Sequence, residues 1–178
     1  MTRTLVVIRH AKAEHSNPGG DHERQLAPRG VEDAGALGRW LAGEGLLPDL
    51  VLVSTAARTR QTAELVLRGA GLDVAQVPVW PSREVYDGGV DATLAAAQEA
   101  DDDATTVWLV GHQPVVATLT LELAEPHRSD HGIVEAVGAG FPTSAAAVLH
   151  TDVRSWFELG PGGARLVGFR PRNLGRGA

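Results

Sequence analysis

The 178-residue sequence contains no cysteine, which removes disulfides, thiolate nucleophiles and cysteine-ligated zinc together. Aromatic side chains are scarce, at 4%. Alanine and glycine fill much of that gap, and such small residues suit helices lying close against a sheet rather than a core of large rings. No apolar run approaches the ~20 residues of a membrane-spanning helix. No charged segment, apolar stretch and cleavage site precede Leu5-Val6-Val7-Ile8. A cytoplasmic location, with no secretory signal and no membrane partner, is therefore expected. A basic excess is missing too. The formal charge of −6 argues against a general nucleic-acid binder, whose domain usually carries a basic face and a high pI. Net charge hides local order, however. Arg3, Arg9, Lys12, Arg24, Arg29, Arg58 and Arg60 all fall in the first third of the chain, which allows an electropositive site on an acidic protein.

What is present is the composition of a folded protein, 43% hydrophobic and 21% charged. The length suits one domain with a full core and not two, so a single domain over 1–178 is expected. Leu5 to Ile8, Leu50 to Val53 and Val107 to Val110 are continuous apolar runs, the pattern of strands buried on both faces of a parallel sheet. Helical spacing lies between them. Ala34, Leu37 and Leu41 share one face, with Pro28 suited to a first turn and Gly43 or Gly45 to the end. Further helices are expected from about Ala57 to Leu67, Val90 to Ala100 and Val115 to Leu123. This alternation predicts an α/β fold with a mainly parallel sheet and right-handed crossovers. Glu125 to Gly140, punctuated by glycines and histidines, is expected to be a loop. Ala145 to His150, Trp156 to Leu159 and Arg165 to Phe169 are expected strands, with Gly160-Pro161-Gly162-Gly163 as a hairpin turn.

Three expected strands end in residues capable of catalysis. Ile8 is followed by Arg9-His10, Val53 by Ser54 to Arg58, and Val110 by Gly111-His112-Gln113. In open α/β sheets the carboxyl ends of parallel strands share one edge, and ligands bind in the crevice beside it. Two histidines and two arginines distant in sequence would meet there. Taken alone, a histidine after a strand is more often a hydrogen-bonded structural residue, and a single arginine more often a surface charge. Joint placement is what points to function. Arginine forks donate paired hydrogen bonds to phosphate oxygens and stay charged at physiological pH, so the expected ligand is an anion, phosphate above all. A neutral imidazole can attack phosphorus and become phosphohistidine, which makes His10 and His112 the candidate nucleophiles.

These residues resemble the histidine phosphatase superfamily, the phosphoglycerate mutase-like fold, whose signature is Arg-His-Gly directly after the first strand. The present chain has Arg9-His10-Ala11. Arg24-Gln25-Leu26-Ala27-Pro28-Arg29-Gly30 is similar to the family's Arg-x-Leu-Thr-x-x-Gly, and Ser54 to Thr62 to its Ser-x-x-x-Arg-x-x-Gln-Thr. Gly111-His112 matches its second histidine. The resemblance implies a three-layer α/β/α fold. It also implies His10 as nucleophile, with Arg9, Arg24, Arg58 and His112 binding phosphate; Arg24 enters by this route alone. Ala11 replaces the usual glycine, which requires a negative φ and room for a methyl group. Lys12 is a further cation near the expected anion.

Members of the family that cleave phosphomonoesters use a carboxylic acid to protonate the departing alkoxide. Glu84, in Glu84-Val85-Tyr86-Asp87-Gly88-Gly89, stands where that acid usually sits, with Asp87 as second choice. The short stretches between Arg58, Glu84 and His112 leave little room for a large cap. Small size, Phe141-Pro142-Thr143-Ser144-Ala145 and Arg172-Asn173-Leu174 are similar to the SixA-type phosphohistidine phosphatases. The resemblance thus implies a metal-independent phosphatase without cofactors, acting on phosphohistidine in proteins. The alternatives are a phosphatase of small sugar or acid phosphates, or a non-catalytic module that binds phosphoproteins. His127 and His131, at i, i+4 spacing, could join His15 or His22 around a metal, but no carboxylate pattern completes that site.

Overall fold

Successive residues of the apolar runs face opposite ways and bury on both sides. The computed structural model, which describes residues 2–171, forms β1 (Arg3–Arg9), α1 (Pro28–Gly43), β2 (Leu50–Ser54), α2 (Ala57–Gly69), β3 (Val79–Ser82) and the single turn α3 (Glu84–Asp87). There follow α4 (Gly89–Gln98), β4 (Thr106–Gly111), α5 (Val115–Leu123), α6 (His131–Ala139), β5 (Ala146–Thr151) and β6 (Arg165–Arg170). The strands make one sheet in the order β3-β2-β4-β1-β5-β6, in which β3, β2, β4 and β1 are parallel and β5 runs antiparallel to both β1 and β6. Val6, Ile8, Val51, Val53, Trp108 and Val110 pack on the face that receives Leu37 and Leu41 of α1 and Val66 of α2. Leu5, Val7, Leu52, Val107 and Leu109 pack on the other, with Ala97 of α4, Leu119 of α5 and Val137 of α6. The result is the expected three-layer α/β/α arrangement.

Small residues set the distance between α1 and α2. A Cβ on Gly38 would run into the Val66 carbonyl oxygen, and one on Gly69 into the Gly35 carbonyl, so these backbones touch where any side chain would hold them apart. Pro28 occupies the first turn of α1 as expected.

Three expectations change. The stretch from Glu125 to Gly140 is not all loop, because His131–Ala139 forms α6. Asp130 caps it by accepting the Ile133 N–H at 3.0 Å, and Ile133, Val134 and Val137 turn one apolar face to the core. Trp156–Glu158 is a 3₁₀ turn rather than a strand. Ser155 caps it, and the buried Trp156 indole donates to the Ala104 carbonyl at 2.8 Å. The Gly160 to Gly163 turn therefore leads from that 3₁₀ turn into β6, while the antiparallel pair is β5 with β6. β3, four residues containing Pro81, is an additional parallel strand at the sheet edge, where proline costs no ladder bond. Arg172-Asn173-Leu174 lies outside the described residues.

Candidate active site

β2, β4 and β1 are adjacent, so Ser54, Gly111 and Arg9 end side by side. The chain leaves β1 for α1 on one face and β4 for α5 on the other. That divergence opens a crevice at the carboxyl edge, as expected at a switch in strand order. A cleft of about 490 Å³ lies there, lined by Arg9, His10, Arg24, Arg58 and His112 together with Asp21, Tyr86, Asp87 and Gln113. Among the described residues no inserted domain stands over it; between β2 and β4 the chain makes only α2, β3, α3 and α4.

His10 is fixed at both ends. Its backbone N–H donates to the Gly111 carbonyl at 3.0 Å, and ring Nδ1 lies 2.7 Å from the Ala11 carbonyl. A carbonyl only accepts, so Nδ1 carries the proton and Nε2 presents a lone pair. Burial, opposed by that hydrogen bond and reinforced by Arg58, Arg9 and Arg24, brings the His10 pKa down to about 4. Ala11 keeps a negative φ, is fully buried, and donates its N–H to Thr62 Oγ1 at 2.9 Å. The methyl group that replaces a hydrogen is therefore accommodated.

The His112 ring centroid lies 5.2 Å from that of His10, and His112 Nε2 lies 2.7 Å from Ser54 Oγ. Burial, then the neighbouring His10 and Arg58, lower its pKa to about 3. Both imidazoles are neutral near pH 7. Arg9 donates from Nη1 to the Phe141 carbonyl at 2.9 Å, while its buried Nε has no hydrogen-bond partner. Arg58, in the first turn of α2, is 6% exposed.

Sequence reasoning missed Asp21. It sits in a 3₁₀ turn, Asp21–Glu23, and its carboxylate accepts from Arg24 Nη1 at 2.9 Å, Arg58 Nη2 at 3.0 Å and the Tyr86 hydroxyl at 3.2 Å. Its own carbonyl accepts from Arg58 Nη1 at 2.7 Å. Hydrogen bonds from Arg24 and Arg58 hold the Asp21 pKa down at about 2. Its spacing from Arg24 alone does not set it apart from a solvated loop carboxylate, so the sequence carries no local signal for it.

The expected acid does not reach the cleft. Glu84 is exposed in an adjoining hollow, accepts from Ser82 Oγ at 2.7 Å, and is held below the usual carboxyl range by that bond. Asp87, one turn along, does line the cleft and pairs with Arg83 at 3.0 Å. Lys12 is exposed and does not line it. Among the described residues no three potential metal ligands gather; His131 instead lies 3.3 Å from Glu135, and His22 lies 3.0 Å from Thr55 Oγ1.

Fold and cleft together define an α/β protein with histidines and arginines gathered in a cleft at a sheet edge. Residues 5–85 match the model of the histidine phosphatase superfamily (branch 1). Over 162 residues the chain is 36% identical to an uncharacterized protein of Mycobacterium tuberculosis, covering 91% of this chain and 98% of that one. Among solved structures, a SixA protein of Nakamurella multipartitia, a candidate phosphohistidine phosphatase, is 36% identical with a TM-score of 0.84, covering 98% of both chains. A second candidate, SixA of Agrobacterium tumefaciens, is 29% identical with a TM-score of 0.72, covering 94% of this chain and 97% of that one. The chain belongs to the histidine phosphatase superfamily, whose members are phosphatases or mutases, and within it resembles the SixA proteins.

Proposed function

We propose that the chain is one histidine phosphatase domain, and that it hydrolyses phosphohistidine on proteins through a covalent intermediate on His10. The observation that carries this reading is the neutral His10 ring, with Nδ1 tied to Ala11 and Nε2 left as a lone pair in a cleft lined by three arginines. Nε2 attacks phosphorus. The bond from phosphorus to the leaving nitrogen breaks, and its electron pair stays with the departing imidazole. Water then attacks the phosphoryl group on His10, releasing inorganic phosphate and restoring the ring. Arg9, Arg24, Arg58 and His112 meet the phosphoryl oxygens, which is most of what such a transfer asks of a protein.

Proton supply favours phosphohistidine over ordinary esters. An alkoxide needs an acid as it leaves. Asp21 is ionised at neutral pH, and Glu84 is both shifted down and outside the cleft. An imidazole departs without such help far more readily than an alkoxide. The open cleft suits a side chain presented by another protein, and the likeness to SixA proteins supports the same substrate class.

The test is to mix the protein with phosphohistidine peptide, quench, and look for acid-labile, base-stable phosphate on His10. The phosphoenzyme should appear in the wild type and be absent in His10→Ala, which should also lose turnover. Full activity of His10→Ala would refute the covalent route, and tight binding without turnover or phosphoenzyme would identify a phosphoprotein-binding module. A second reading, hydrolysis of small sugar or acid phosphates, rests on Asp87 at the cleft wall as the acid. A panel comparing phosphohistidine peptide with small phosphomonoesters separates the two.

A further inference from the structure

In a site built only to hold phosphate, a built-in anion opposes the charge of the ligand. Asp21 is nonetheless inside this one, its carboxylate spread over Arg24 and Arg58, two of the residues that line the cleft with His10. It cancels part of the charge that would attract a phosphoryl dianion. Orienting the two arginines does not by itself explain a charge, since neutral carbonyls already hold both: that of Asp21 accepts from Arg58 at 2.7 Å and that of Glu14 from Arg24 Nε at 2.8 Å. Nor can this carboxyl donate a proton near neutrality, because it is held ionised. It is an acceptor with one side still open: three donors occupy it, a carboxylate offers about four sites, and its side chain is 54% exposed.

In-line displacement decides what meets that open side. The leaving atom lies opposite Nε2 of His10 across phosphorus, and a leaving group that belongs to another protein must extend toward solvent. Asp21 belongs to the cleft wall and keeps its side chain half open to solvent, within reach of a group leaving that way. We infer that Asp21 is a specificity-determining residue, whose carboxylate accepts a hydrogen bond from the distal ring N–H of a phosphorylated imidazole. This rests on the phosphohistidine reading above.

The chemistry balances without an acid. When the ring is protonated on its distal nitrogen, cleavage of the P–N bond returns the electron pair to the proximal nitrogen. Neutral imidazole then departs with its single proton already in place. An ionised carboxylate at that N–H favours the protonated ring and so the better leaving group. An alkyl or aryl phosphate has no such N–H to offer.

The experiment compares wild type and Asp21→Asn on a phosphohistidine peptide and on p-nitrophenyl phosphate. Both activities should fall, since Asn braces the arginines less well. The ratio of kcat/KM for peptide over p-nitrophenyl phosphate should fall at least tenfold further, and Asp21→Glu should restore part of it. Equal losses on both substrates would leave Asp21 a brace for Arg24 and Arg58 and overturn the inference. Should Asp21→Asn fail to fold, the wild type alone decides. Its acceleration over the uncatalysed rate should be at least tenfold greater for phosphoimidazole than for N-phosphopyridinium, whose ring has no distal N–H; equal accelerations would again overturn the inference. A wild type that hydrolyses p-nitrophenyl phosphate but neither phosphoimidazole nor the peptide would overturn the phosphohistidine reading itself, and this inference with it.

Discussion

At His10, burial and nearby arginines favour the neutral ring, and the bond to Ala11 selects its tautomer. On the proposed function the arginines serve twice, since the charges that help keep the ring unprotonated would also receive the phosphoryl oxygens. Arg58 is the most deeply placed of them, at 6% exposed. Arg58→Ala should lower kcat/KM by about 10²–10³, or ~3–4 kcal/mol, the scale set by deleting one transition-state donor. Glu84→Gln should change it by less than about twofold, because that side chain bonds Ser82 outside the cleft. Steady-state kinetics on one substrate checks both. A large loss in Glu84→Gln would mean that Glu84 turns into the cleft when substrate binds.

Among the elements, α1 and α2 depend on glycine where their backbones meet. Gly38→Ala should destabilise the protein by about 1–3 kcal/mol, read as a lower denaturant midpoint, because its methyl group meets the Val66 carbonyl and a helix backbone has little room to retreat. The helices and central strands were legible in the sequence because their periodicity is strong and long. The failures came where local signals compete. α6 carries Gly132 and Gly138, and these obscured the Ile133, Val134 and Val137 stripe and the Asp130 cap. Trp156 and Leu159 are apolar because they fill the core from an irregular segment, not because they pair in a ladder. Within the site, the residues at strand ends were legible because the fold rule brings them together. Asp21 was not, since only the folded path of the segment after β1 carries it back to Arg58.

On the scale of the whole molecule, net negative charge coexists with a cationic cleft in which both histidines titrate far below their usual 6.5. Between that value and about pH 4 the unfolded chain takes up protons at these two positions and the folded protein does not. Stability therefore rises with pH across this window and falls on acidification. Thermal unfolding should show a melting temperature that declines from pH 7 toward 4, and less steeply in His10→Ala. The acid limb of kcat/KM should lie near pH 4 rather than 6.5 for a substrate with no ionisation of its own in that range. A limb near 6.5 would mean that His10 is not shielded as described.

Three consecutive amides anchor the backbone around His10 to three different partners: Arg9 N–H to the Ala145 carbonyl, His10 N–H to Gly111 at the end of β4, and Ala11 N–H to Thr62 of α2. None is released by the fraying of one element. In deuterium these protons should be among the last in the chain to exchange, leaving only when the sheet itself opens. The His10 ring would then stand on ground as durable as the core, and conditions mild enough to loosen surface turns would leave its orientation unchanged.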